Sequence, residues 1–170
     1  MPAPNVPPGK VKLIAVPLAV ILAIVAALPL HEGRKYVPYW DALGKVLTVC
    51  AGITGPEVVP GRTYTPAECD QLETQYVTRM LGYMGRCATG EFAFHEVKAW
   101  GNFAYNIGTG NFCGSTAVRL LNAGKHKEAC NQIPLWRYAG GKDCAIRANN
   151  CYGIVDRRAW QRQLCLGEIQ

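Results

Sequence analysis

Glu32-Gly33-Arg34-Lys35-Tyr36-Val37-Pro38-Tyr39-Trp40-Asp41, with Gly44 and then Thr48-Val49-Cys50-Ala51-Gly52-Ile53-Thr54-Gly55, is the stretch on which the reading of this chain turns. From residue 34 to 63 the breakers Pro38, Gly44, Gly52, Gly55, Pro56, Pro60 and Gly61 leave short runs such as Lys45-Val46-Leu47-Thr48-Val49-Cys50. Runs of this kind between turn residues predict a small β-hairpin or three-stranded sheet. Glu32 and Asp41 bracket the turn that starts this lobe, and Thr48 follows. Glycosidic cleavage needs one carboxylic acid to protonate the leaving oxygen and a second group to manage water or the cationic transition state. A threonine hydroxyl can both donate to and accept from such a water. Taken alone, acids and hydroxyls beside a hairpin are more commonly solvated turn residues.

Downstream the pattern changes. Thr65-Pro66-Ala67-Glu68 has an N-cap residue, proline at the first helical position and the glutamate of a capping box. Leu72, Tyr76, Val77, Met80 and Leu81 then recur at helical spacing. A second helix is expected over residues 91–105, burying Phe92, Val97, Trp100 and Phe103, until Gly108-Thr109-Gly110-Asn111 breaks it. Ser115 or Thr116 can cap a third, stopped by Gly124, and short helices are expected over 127–135 and 155–165. The class is therefore α+β: a small N-terminal β-lobe and a larger helical body.

Upstream lies an uncharged apolar run, residues 13–30, preceded by a proline-rich tail (residues 1–9) and by Lys10 and Lys12. Eighteen helical residues span about 27 Å, slightly short of a hydrocarbon core of about 30 Å. Five alanines and two prolines make the run weakly lipophilic, and Pro17 favours a kink. It reads as an apolar N-terminal helix that is either a cleaved signal peptide, with Val25-Ala26-Ala27 at the cleavage site, a permanent anchor, or an uncleaved export signal able to leave the membrane. Weak lipophilicity favours the last.

Whole-chain properties narrow the class. The 170 residues less this tail leave one domain, large enough to bury a core unaided. The net charge of +6 is dispersed, which suits an anionic polymer or envelope surface and lacks the basic patch of a nucleic-acid binder. Cys50, Cys69, Cys87, Cys113, Cys130, Cys144, Cys151 and Cys165 form an even set, expected as up to four disulfides in an oxidising compartment. Cys144 and Cys151 are the easiest local pair. Their spacing fits no zinc knuckle, and His31, His95 and His126 are scattered, so no metal is expected. No phosphate-binding glycine loop is found, and no cofactor is expected.

The opening stretch resembles the active-site region of phage-type lysozymes, glycoside hydrolase family 24. Two further blocks carry the same resemblance: Phe103-x-Tyr105-Asn106-Ile107-Gly108-Thr109-Gly110-Asn111-Phe112 with Ser115-Thr116, and Trp136-x-x-Ala139-Gly140-Gly141-Lys142 with Gly153-Ile154-Val155-x-Arg157-Arg158. Together they cover nearly all of residues 30–166. The export-competent members with a signal-anchor-release segment are most similar, because there too the catalytic Glu directly follows the apolar run. The resemblance implies a lysozyme-like fold, with residues 1–31 as signal-anchor-release (transmembrane) segment and 32–170 as catalytic domain. It implies an endolysin that cleaves the β-1,4 bond between N-acetylmuramic acid and N-acetylglucosamine in peptidoglycan with inversion, causing host cell lysis. Glu32 is then the general acid, Asp41 the carboxylate that activates or holds water, and Thr48 its partner. Tyr105, Asn106 and Ser115 are candidate saccharide contacts. A raised pKa at Glu32 requires Arg34 and Lys35 to point away. The enzyme is expected as a monomer, held on the host inner membrane through residues 13–30 facing the periplasm, inactive there, and active once released.

Two departures matter. Asp41 and Thr48 are seven residues apart where the family has six, and a one-residue change flips facing unless a bulge or longer turn absorbs it. Ile53 stands where the family has histidine. Two rival functions remain: a thiol-dependent peptidoglycan amidase or peptidase using Cys50 with His95 or His126, and a non-enzymatic, membrane-tethered envelope-binding protein.

Overall fold

The apolar run is folded in pieces. In the computed structural model, which describes residues 9–29, 33–42 and 45–169, Lys10–Val11 is a strand (β1), Leu13–Ala15 a turn of 3-10 helix and Leu18–Ala27 a helix (α1). Pro17 makes the break: lacking an N–H, it stands extended as the residue before α1. Among the described residues no helix is long and apolar enough to cross a membrane. Glu32, His31, Leu30 and Gly44 lie outside the described residues, as does most of the proline-rich tail.

The expected three-stranded sheet is present, with Lys35–Asp41 (β2), Val46–Cys50 (β3) and Ile53–Thr54 (β4) in the antiparallel order β2-β3-β4. Pro38 falls within the irregular part of β2, between the pairs Lys35–Cys50 and Tyr39–Thr48, as a residue without a ladder donor should. Pro66–Cys87 (α2) begins with the predicted capping box: Glu68 N–H donates to the Thr65 hydroxyl and Thr65 N–H to the Glu68 carboxylate. Phe92 belongs to a strand, Phe92–Ala93 (β5), which pairs with β1, and the following helix is Phe94–Ile107 (α3). Gly108 ends α3 at φ 85°, and Thr109–Cys113 (α4) continues past it as a further turn. Thr116–Asn122 (α5), His126–Cys130 (α6) and Gly153–Cys165 (α7) complete the body. Ala139-Gly140-Gly141-Lys142 closes a two-stranded hairpin, Tyr138–Ala139 (β6) with Lys142–Asp143 (β7), which the spacing had not predicted.

All eight cysteines are paired: Cys50–Cys69, Cys87–Cys113, Cys130–Cys165 and Cys144–Cys151. The first ties β3 to α2, the second α2 to α4 and the third α6 to α7.

The N-terminal segment shares the core of the helical body. Leu13, Val20, Ile21, Ile24, Val25 and Leu28 are buried with Val77, Met80 and Met84 of α2 and Val97, Trp100 and Phe103 of α3. Each such side chain removed from water contributes about 1.5–3 kcal/mol. Two helical glycines make the close approach possible. A Cβ on Gly85 of α2 would lie 2.3 Å from Ile14 Cγ2 and 2.9 Å from the Ile14 nitrogen, and one on Gly101 of α3 would lie 2.8 Å from Ile24 Cδ1. The opposite face of the segment is apolar as well: Ile14, Leu18 and Leu22 are 65%, 61% and 45% exposed, and Ala15, Ala19 and Ala26 are exposed beside them.

Glycine to alanine inside a helix normally stabilises by about 1 kcal/mol. Gly82, with nothing within 4 Å of its Cβ position, should follow that rule. Gly85→Ala should instead lower stability by about 1–3 kcal/mol through overpacking against Ile14. Thermal unfolding of the two variants checks the opposite signs.

Candidate active site

Asp41 and Thr48, seven residues apart, fall on the paired strands β2 and β3. Asp41 pairs with Val46 and Tyr39 with Thr48 across β2 and β3, leaving residues 42–45 as the connection, with Lys45 at φ 51°. Directly opposed residues project to one side of a sheet, as do residues two apart along a strand. Asp41, Tyr39, Val46 and Thr48 therefore share a face, with Asp41 and Thr48 as diagonal neighbours. Thr48 is 2% exposed, and its hydroxyl donates to the Val46 carbonyl at 3.3 Å.

The flanks of Glu32 are held from both directions. On one side, Gly33, at φ 67°, donates its N–H to the Pro29 carbonyl at 3.1 Å, joining the chain to the end of the docked apolar segment. On the other, Arg34 Nη2 donates to Asp70 Oδ1 at 2.8 Å and to Glu73 Oε2 at 2.5 Å, both on α2. Burial opposes the Arg34 charge, but the hydrogen bonds to Glu73 and Asp70 outweigh it, and the guanidinium pKa is raised above its ordinary value. Lys35 lies over the Tyr39 ring, 4.0 Å from its centre. Both cations expected to point away from the acid thus have partners of their own.

Glu73 is fully buried, and its other carboxylate oxygen accepts from the Ala51 N–H at 2.9 Å. The Ala51 carbonyl accepts from the Tyr105 hydroxyl at 2.7 Å, and the Tyr105 ring meets Tyr76 edge-on at 5.2 Å. Of the candidate saccharide contacts, Tyr105 is half-buried and joins the β-lobe to α3. Asn106 is exposed and its side-chain oxygen accepts from Arg158 Nη2 at 2.5 Å. Ser115 is buried, and its hydroxyl accepts from Val118 N–H and donates to the Phe112 carbonyl, capping α5. The geometry gives Ser115 a capping role.

Arg158 continues the polar chain, donating to the Trp136 carbonyl and to Gln161, which donates to Asn102. Sequence reading gave neither Arg158 nor Glu73 a part in the site. Glu73 had left a signal: it falls on the buried stripe of α2 with Cys69, Val77, Met80 and Met84, where a carboxylate needs a partner.

Among the described residues the one cluster with metal-ligand geometry is Cys50, Cys69 and Glu73. Its two sulfurs form a disulfide and its carboxylate is paired with Arg34, so its donors are already engaged. The same disulfide removes Cys50 as a thiol nucleophile, while His126 pairs with Glu96 and His95 meets the Leu164 carbonyl.

The chain matches the phage lysozyme family over residues 30–161. A SAR-endolysin of bacteriophage PS119 is 39% identical over 135 residues, covering 79% of this chain and 76% of that protein. A SAR-endolysin of Escherichia phage 933W is 34% identical over 165 residues, covering 88% and 93%. Among solved structures, a P22 lysozyme mutant superposes with a TM-score of 0.70 at 25% identity, covering 84% of this chain and 94% of that one. The active form of the P1 phage endolysin Lyz has the same fold, with a TM-score of 0.70 at 20% identity over 91% of this chain and 97% of that one.

If Tyr105 is the link between lobe and body, Tyr105→Phe leaves the buried Ala51 carbonyl without its donor, at a cost of about 1 kcal/mol. The expected reading is a melting temperature about 2–4 °C lower, measured by calorimetry.

Proposed function

This chain belongs to the phage lysozyme family and is a peptidoglycan-degrading endolysin of host lysis, and from that premise we propose how its residues divide the chemistry. Glu32 is the general acid. It gives its proton to the bridging oxygen as the bond to C1 of N-acetylmuramic acid breaks, while water adds to C1 from the opposite face, inverting it. Asp41 takes up the proton from that water, and the Thr48 hydroxyl fixes the water's position. The observation that supports this reading is the shared face of Asp41 and Thr48 across β2 and β3. Tyr105, whose hydroxyl reaches the Ala51 carbonyl of the lobe, and the exposed Asn106 supply saccharide contacts.

We further propose that residues 1–31 act as a signal-anchor-release segment ahead of the catalytic domain, residues 32–170. The naming of the relatives as SAR-endolysins supports this. So does the segment's composition, since it presents apolar side chains on both faces. In the membrane-held form Glu32 sits at the bilayer edge, away from Asp41. In the released form the segment is docked as described above, and its end delivers Glu32 to the lobe. The released enzyme works in the periplasm as a monomer.

Glu32→Gln should lower hydrolysis of purified peptidoglycan at least about a hundredfold, and Thr48→Val should do so by about tenfold to a hundredfold with little change in melting temperature. Full activity in Glu32→Gln would defeat the assignment. Ala15→Leu with Ala19→Leu adds roughly 2 kcal/mol of lipophilicity per site on the outward face, without touching the packed one. Host lysis should be delayed, read as culture turbidity after induction, while the purified soluble variant keeps its hydrolytic rate.

A further inference from the structure

The acid-bearing turn has a movable flank and a fixed one. The flank that moves in the proposed release is the apolar segment. The fixed flank is Arg34, and we propose that Arg34 and Glu73 are positioning residues, their buried ion pair, closed onto the Ala51 amide, setting where the chain carrying the general acid leaves the lobe. The proposal rests on the reading of Glu32 as that acid.

Three observations carry it. Glu73 has no exposed surface and Arg34 is 16% exposed, so the pair is shielded from water and competing ions. The Glu73 carboxylate uses both oxygens, one for Arg34 Nη2 at 2.5 Å and one for Ala51 N–H at 2.9 Å. That single group therefore joins the chain two residues past Glu32, the β3–β4 corner and α2. The corner is itself fixed, by the Cys50–Cys69 disulfide one residue before Ala51 and by the Tyr105 hydroxyl on the Ala51 carbonyl. Asp70 adds a second acceptor at the exposed end of Arg34. A buried ion pair of this kind adds little net stability compared with apolar residues of the same shape, whereas breaking one half is strongly destabilising. Its geometry gives it a role: the planar guanidinium presents the two N–H bonds of Nη2 to Glu73 and Asp70 in fixed directions, which a flexible ammonium does not.

The test separates positioning from packing. Glu73→Gln, Arg34→Met and the double variant Arg34→Met/Glu73→Gln are made in the full chain and purified in soluble form. Melting temperature is measured with kcat and KM on soluble peptidoglycan fragments. Each single variant strands one partner and should melt lower. The double variant strands neither and should recover most of the loss. Turnover should not recover: kcat stays down at least about tenfold in the double variant, with KM within about twofold, because displacement of a reacting group by roughly 1 Å can cost a hundredfold. Arg34→Lys, which keeps the charge without the planar donor group, should fall between Arg34→Met and the parent in kcat. Recovery of kcat together with melting temperature in the double variant would overturn the inference, as would a change confined to KM. The double variant stays decisive if the single variants do not fold. Parental activity in Glu32→Gln would instead remove the acid assignment, and the two failures are told apart by which variant keeps its rate.

Discussion

Residues 13–28 contain no charged group and have to be kept from water, and the structure depends on where they go. In the folded enzyme the inward face, with Leu13, Ile24 and Leu28 fully buried, completes a core that α2 and α3 alone would leave open. Gly85 and Gly101 let the segment close to backbone contact. The outward face keeps Ile14, Leu18 and Leu22 in water. A segment with one apolar face satisfied and one not suits the release from a bilayer proposed above. A fully amphipathic helix would never insert, and a longer, more lipophilic one would not come out. The short α1, the break at Pro17 and the alanine content place it between these limits.

The second organising point is Ala51. Its N–H is held by a carboxylate from α2, its carbonyl by a hydroxyl from α3, and the residue before it by a disulfide to α2. The β-lobe is small, with strands of seven, five and two residues, and such a sheet is marginal alone. Fastening its corner to both long helices gives Asp41 and Thr48 a rigid base. In the proposed division of the chemistry the lobe supplies Asp41 and Thr48, and the chain that follows the docked segment supplies Glu32.

Much of this was legible in the chain. Thr65-Pro66-Ala67-Glu68 announced α2 because capping chemistry is local, and the breakers between residues 34 and 63 announced the sheet for the same reason. Ser115 was legible as a cap, and it caps α5. Two things were out of reach. The facing of Thr48 depends on the register between β2 and β3, which spacing alone does not fix. The partnership of Arg34 with Glu73 joins residues 39 apart in sequence, and no local pattern encodes it, although a glutamate on an apolar stripe should have prompted a search for a cation. The glycine-lined seat of residues 13–28 was not legible, because it is made by contacts between distant parts of the chain.

The central claim is that the apolar segment is part of the working enzyme, and the covalent state of the active periplasmic protein tests it most directly. Intact-mass measurement of soluble enzyme recovered from the periplasm, with its activity assayed in the same fraction, should give the full-length chain less eight hydrogens for four disulfides. Active enzyme beginning after Ala27 would contradict the account, because the core described here would then lack the face contributed by α1.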